Sequence, residues 1–351
     1  WSGPANVDCH HLGFDGAGDL LVASYDQGEV LIFGLEDPPG ADPLRIQDNT
    51  GGRAIHSAFH PGNRCLVTVS LGRIAVWPLV RSRYPYVLRG HEGHVDAVEF
   101  GPGGEFLVSS SSDGTVRYWP LETGHGAEPR ILHDWGSPVE KLTNWMDLSE
   151  DGRVVVATAD RDFVRVIPLD GRPSRDLPGA DQRLSRAAVS ADGRRVATIG
   201  RFENRNEVRI WDLGSDTVES LVLGDDTGWL RLWSSLEFTR DGQLYWSLDQ
   251  QVWKWSPKTG ASSVVLPEGP RHFRISADGR WLIGHSAIGG AGYELTGVFD
   301  LEDGSSTRLP RHGVTVRCFA LDSAGSIAVT GDLPGCIRVG SAAGGPTHLL
   351  T

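Results

Sequence analysis

The sequence predicts an all-β chain of eight four-stranded antiparallel sheets made by tandem repetition of one unit, with seven units as the alternative count. Three columns of residues carry that prediction. The last apolar residue of each first strand is Phe14, Phe59, Phe100, Leu148, Val189, Phe238, Ile275 and Leu321. Their mean spacing of about 44 residues is the period of a four-stranded repeat. Four positions later stand Gly18, Asn63, Gly104, Gly152, Gly193, Gly242, Gly279 and Gly325, all of them Gly or Asn. Those two residue types adopt positive φ cheaply in a tight hairpin. Nine positions after the anchors stand Ala23, Thr68, Ser109, Ala157, Thr198, Ser247, Gly284 and Thr330, all small. A second strand in the crowded middle of a sheet needs small residues there.

The remaining strands follow in order. Third strands are read at 30–33, 74–77, 116–119, 164–167, 208–211, 252–255, 297–299 and 337–339. Fourth strands are read at 44–46, 86–88, 130–132, 175–177, 221–223, 264–266, 307–309 and 348–350. The repeats then span 7–47, 53–89, 94–134, 141–178, 184–224, 231–267, 271–311 and 315–351 within a single domain, 1–351. One four-stranded sheet cannot cover both of its own faces. Radial packing of successive sheets does, and the expected architecture is a β-propeller.

Composition narrows the function classes. Hydrophobic residues at 39% place the chain among globular proteins, and 45 glycines with 20 prolines suit short strands and tight turns. A formal charge of −12 argues against a nucleic-acid partner, which needs basic surface. Only Lys141, Lys254 and Lys258 are lysines, so arginine carries nearly all the positive charge. Cys9, Cys65, Cys318 and Cys336 form no zinc spacing and read as buried thiols of a reducing, cytoplasmic setting. No run of 18 apolar residues exists, so neither a spanning helix nor a membrane partner is expected. The chain starts at Trp1 and its one methionine is Met146, which points to a processed product, a trimmed form or a domain of a longer protein.

At the third repeat the residues become recognisable. Gly90-His91-Glu92-Gly93-His94-Val95-Asp96-Ala97-Val98-Glu99-Phe100 and Ser112-Asp113-Gly114-Thr115-Val116-Arg117-Tyr118-Trp119 resemble the opening and the closing motif of a WD40 repeat, and Trp211-Asp212 is a literal WD pair. The resemblance implies a WD40-type propeller in which His91, Ser109, Asp113 and Trp119 form a buried hydrogen-bond network. Such a network satisfies its own polar groups. Phe33, Ile167, Phe299 and Gly340 stand where other repeats place the strand-end Trp, so those blades are expected to rely on apolar packing. The ring is expected to close by packing of the first blade against the last, or through a strand preceding Trp1.

No chemistry is read from the motifs. His91-Glu92-Gly93-His94 is one residue short of the helical zinc-protease pattern. Gly284-His285-Ser286 lacks the final glycine of a nucleophile elbow. The Asp-Gly pairs fall at hairpin spacing and read as turns, and Asp225-Asp226 and Glu302-Asp303 read as solvated loop carboxylates. No catalytic residue, metal site or cofactor is expected.

A partner is expected at loops held rigidly by the blades. The candidate residues are Arg53, Arg73, Trp135, Arg161, Phe202, Arg205, Trp229, Arg231 and Tyr293, because Trp, Tyr and Arg are the usual interface anchors. Local packing is the alternative role for Trp135 and Trp229. The expected function is non-catalytic recognition of a protein or peptide, which could be another domain of the same polypeptide. In that reading the propeller is a sensor or scaffold of a multidomain signalling protein. The alternative is a stand-alone enzyme or small-molecule binder with a site in the central channel, for which His10, His11, His56 and His272 are the candidates. Oligomeric state is not read from the sequence.

Overall fold

The structure, a computed structural model, describes residues 8–35, 37, 41–47, 56–70, 73–79, 86–121, 129–136, 146–158, 163–178, 182–202, 205–223, 235–248, 250–287, 294–309, 316–322, 326–332, 337–341 and 348–349. Among them, thirty-two strands form eight four-stranded sheets, each pairing its strands in chain order. Sheets 1 to 8 run over 9–47, 56–88, 95–134, 146–178, 182–222, 236–266, 272–308 and 316–349. They are the eight antiparallel blades of a β-propeller, and the count is eight rather than seven.

The turn column shows why each blade opens on a hairpin. Gly18, Gly104, Gly152, Gly193, Gly242 and Gly279 have φ between 64 and 80°, and Asn63 has φ 52°. Gly325 lies outside the described residues. Four of these turns share a device that the Asp-Gly pairs alone did not reveal. The hydroxyls of Ser149, Ser190, Thr239 and Ser276 donate to Asp151, Asp192, Asp241 and Asp278 at 2.5–2.6 Å. In all four the same aspartate oxygen accepts the backbone N–H two residues on, at Arg153, Arg194, Gln243 and Arg280, the Gln243 bond being the longest at 3.5 Å. The turn is therefore tied at both ends by one carboxylate.

The small-residue column is buried in every sheet. At Gly284 the reason is closest contact: a Cβ there would land on the carbonyl oxygen of His272 and on the Pro270 ring. Fourth strands behave differently. Leu44, Ile131, Val218 and Val222 are about half exposed, as outer-edge strands are.

The sheets group into two compact units. The first comprises residues 1–88, 249–252 and 264–351. Within it, sheets 1 and 2 share a core of Val22, Val30, Ile32, Ile46, Phe59 and Leu66. Sheets 7 and 8 meet through Ile283, Val298, Leu309 and Ala328. Among the described residues, sheet 8 takes its four strands from 316–349, and the first and last sheets meet through side-chain packing. Leu12, Leu21, Tyr25 and Leu31 pack there against Val329 and Ile337.

The second unit comprises residues 89–248 and 253–263. Val108, Val116, Met146, Val155 and Ile167 fill the space between sheets 3 and 4. Val156, Val164, Ala187 and Val196 do so between sheets 4 and 5, and Ile199, Ile210, Leu236 and Trp246 between sheets 5 and 6. Acidic side chains add polar stitches. Glu99 accepts the backbone N–H of Leu148 at 3.0 Å, and Asp147 accepts that of Val189 at 2.8 Å. Each carboxylate thus satisfies a strand-end amide of the next sheet. Among the described residues no helix is long and apolar enough to cross a membrane.

Candidate functional site

Two constellations stand out, one in each unit. In sheet 3, antiparallel pairing sets Ser109 opposite Val98 and Arg117, which aims its hydroxyl at the indole of Trp119 two residues further along the third strand. The Trp119 Nε1–H donates to Ser109 Oγ at 2.7 Å, and that hydroxyl lies 2.7 Å from His91 Nε2. His91 Nδ1 lies 2.8 Å from Asp113 Oδ2. The carboxylate holds the proton on Nδ1, so Nε2 is the acceptor for the serine O–H. His91, Ser109, Asp113 and Trp119 are therefore brought together in one chain.

Thr115 completes this chain and was not anticipated. Its hydroxyl and its amide both donate to Asp113 Oδ1, at 2.7 and 2.9 Å, and its oxygen accepts from Arg117 Nε at 3.0 Å. The threonine directly after Asp113-Gly114 was the available signal. Burial lowers the pKa of His91, outweighing the opposing pull of Asp113. Burial alone would raise the Asp113 carboxyl, but hydrogen bonds from His91 and Thr115 hold it well below the usual range. Neutral imidazole, ionised carboxylate, hydroxyl and indole thus satisfy one another in a dry interior. Both nitrogens of His91 are committed to protein.

Only one other described blade closes the same hydroxyl–indole bond. Trp77 Nε1 donates to Thr68 Oγ1 at 2.8 Å in sheet 2. In sheet 5, Trp211 and Thr198 hold the same register, yet neither polar atom has a hydrogen-bond partner.

The second constellation lies on first strands of the other unit. His11 and His56 stack with ring centroids 4.2 Å apart and 30° between planes. His11 Nδ1 lies 3.0 Å from Ser57 Oγ, which also accepts from Ser24 Oγ at 2.9 Å. His56 Nδ1 is buried without a hydrogen-bond partner. Burial is the largest cause lowering the pKa of His11 well below its usual value, followed by His56 and Arg274. Burial and then Arg274 lower that of His56 to about 4. The result is a neutral imidazole stack beside a guanidinium, on the first strands of sheets 1, 2 and 7. Arg274 was not singled out in the sequence, because an arginine on a first strand reads like any surface arginine.

His10, the residue between Cys9 and His11, sits at a register shift of its strand and turns elsewhere. Its Nε2 lies 2.6 Å from Asp26 Oδ1, and Asp8, His10 and Asp26 place donor atoms within 4.8 Å of one another. His272 stands opposite His285 in sheet 7. Of the four histidines expected at a channel, His11 and His56 come together, and His10 pairs with Asp26 of its own blade.

The residues chosen for a partner face are dispersed in outcome. Arg53, Arg161, Trp229, Arg231 and Tyr293 lie outside the described residues, as do Lys141, Asp225 and Asp226. Arg73 and Arg205 hold equivalent positions, each opening a third strand across from the last residue of the second. Phe202 requires correction: it is 1% exposed, because the hairpin of sheet 5 extends as far as its pairing with Arg205 and Arg209 lies over the ring at 3.8 Å. Its ring faces the blade and is not available to a partner. Trp135 likewise turns inward, packing on the core between sheets 3 and 4 with an edge contact to His133 at 4.5 Å.

A repeated four-stranded antiparallel meander, small at the centre of each second strand and tied by paired turns, defines a β-propeller. The particular kind is set by the third blade. The WD domain, G-beta repeat, matches residues 82–120, the segment that holds His91, Ser109, Asp113 and Trp119. The chain is a WD40-type β-propeller. It is 37% identical over 118 residues to a guanine nucleotide-binding protein subunit beta of Oryza sativa subsp. indica, covering 30% of this chain and 29% of that one. It is 29% identical over 267 residues to apoptotic protease-activating factor 1 of Danio rerio, covering 74% of this chain and 19% of that one. To TBC1 domain family member 31 of Xenopus tropicalis it is 29% identical over 217 residues, 60% of this chain and 19% of that one. The chain thus spans less than a third of the length of these relatives. WD40 propellers of this kind generally act as protein-interaction scaffolds.

Proposed function

We propose that this propeller is a non-catalytic recognition module, the sensor or scaffold part of a multidomain cytoplasmic signalling protein, and that it holds a protein or peptide partner at its hairpin loops. The observation that carries the reading is the blade architecture itself. Buried columns and tied turns make rigid supports, and the equivalent ends of the second–third strand hairpins present Arg73 and Arg205. Arginine in such positions suits bidentate capture of carboxylates. The match to a minor part of apoptotic protease-activating factor 1 supports the multidomain setting.

The test starts from the endogenous product in its source cells, by intact mass and cross-linking mass spectrometry. Cross-links from the hairpin ends to another domain or a partner, lost at least tenfold in Arg73→Glu/Arg205→Glu, are the expected result. Undiminished cross-linking in that variant refutes a role for these two hairpin ends.

A second reading has its own observation, the His11–His56 stack beside Arg274. An unpaired imidazole nitrogen next to a guanidinium suits the carboxylate of a small ligand. Carboxylate titration followed by the imidazole NMR signals tests it: shifts confined to His11 and His56 support it, and unmoved signals remove it.

A further inference from the structure

The first and last sheets bring two cysteines together across the seam between them. Cys9 opens the first strand of sheet 1, and Cys318 lies on the first strand of sheet 8. Their sulfurs are 3.5 Å apart although the residues are 309 positions apart in sequence. Cys318 also sits 3.7 Å from the Cys9 carbonyl oxygen. The space for the pair is made by Gly331: a Cβ there would lie 2.9 Å from Cys318 Sγ and 3.1 Å from Cys9 Sγ. Cys9 is fully buried, whereas Cys318 is partly exposed. Cys65, by contrast, is buried within sheet 2.

We propose that Cys9 and Cys318 are a reversible oxidation site that hydrogen peroxide converts into a disulfide, covalently joining the first sheet to the last. The more accessible Cys318 thiolate attacks the peroxide, forming an S–O bond and breaking O–O, with hydroxide leaving and taking up the thiol proton as water. The Cys9 sulfur then attacks the Cys318 sulfur, forming S–S and breaking S–O, and a second water leaves with the Cys9 proton. Two thiols lose two electrons and the peroxide is reduced to two waters. The sulfurs need to approach by only about 1.5 Å to reach the usual bond length of about 2.05 Å. Beside the pair, Leu12, Leu21, Tyr25 and Leu31 pack against Val329 and Ile337, and the bond adds a covalent restraint on the two ends of the repeat array in the unfolded chain as well as in the folded one.

The test uses the full 351-residue chain reduced, treated with a few equivalents of hydrogen peroxide, alkylated and digested without reductant. Expected are the loss of two thiols, a linked peptide pair containing Cys9 and Cys318, and a rise in the unfolding midpoint of about 3–8 °C that dithiothreitol reverses. Cys318→Ala should show neither the link nor the rise. The mapping on the unsubstituted chain stands even if that variant folds poorly. Oxygen adducts on Cys318 without a link, a link through Cys65 or Cys336, or no thiol loss overturns the proposal. A Cys9–Cys318 link that leaves the midpoint unmoved overturns its role in securing the seam.

Discussion

Ser109 and Ser110 are neighbours on one strand, 0% and 2% exposed, and the fold predicts opposite consequences for removing their hydroxyls. Successive strand residues face opposite sides of the sheet. Ser109 bridges Trp119 and His91, while the Ser110 hydroxyl is buried with no hydrogen-bond partner. Ser109→Ala strands an indole N–H and an imidazole nitrogen in the interior. Each buried unsatisfied group costs about 1–3 kcal/mol, so the variant should lose about 2–6 kcal/mol. An unfolding entropy of about 2 cal/mol/K per residue makes 1 kcal/mol worth about 1.5 °C for a chain of this length, so the midpoint should drop by about 3–9 °C. Ser110→Ala removes a hydroxyl that has nothing to bond and should be neutral or slightly stabilising, within about 1 °C of the parent. Differential scanning calorimetry of the pair at pH 7 decides the matter. Midpoints within about 1 °C of each other would falsify the claim that the network, rather than simple burial, stabilises this blade.

Two further outcomes follow from the same geometry. His11 and His56 have folded-state pKa values below the unfolded value of about 6.5, so the unfolded chain takes up protons first and stability falls as pH drops below about 6.5. With His56 near 4, its share is about 3 kcal/mol, complete once pH is below 4. Urea unfolding across pH 4–7 should show a shallower slope for His56→Asn, and an identical slope in both proteins counts against the buried neutral stack. Gly284→Ala pushes a methyl onto the His272 carbonyl and should cost about 2–4 kcal/mol, read as a midpoint lower by about 3–6 °C. A variant as stable as the parent would mean that the strand shifts freely at that point.

Much of the fold was legible because its determinants are local. The positive-φ turn, the small residue at the strand crossing and the apolar anchor each act through their own blade, so they recur in the sequence at the repeat period. The His91–Trp119 chain was legible for the same reason: all of its members lie between residues 91 and 119. Phe202 and Trp135 show the limit. An aromatic residue in a loop-like segment reads the same whether its ring points to solvent or back onto the core, and that direction depended on how far a hairpin extends and which guanidinium lies above it.

The sequence by itself determined the all-β class, the eight-fold repetition and the network of the third blade, since these arise from spacings of fewer than fifty residues. Only the tertiary structure decided which side chains from distant blades meet. His11 reaches His56 and Arg274, Glu99 reaches the next sheet, and Cys9 lies against Cys318 because packing one sheet on another brings together strands whose separation along the chain carries no periodic mark. Side-chain packing between sheets is non-directional and sums over many small contacts. Its outcome is set by the whole array and cannot be written into any one repeat.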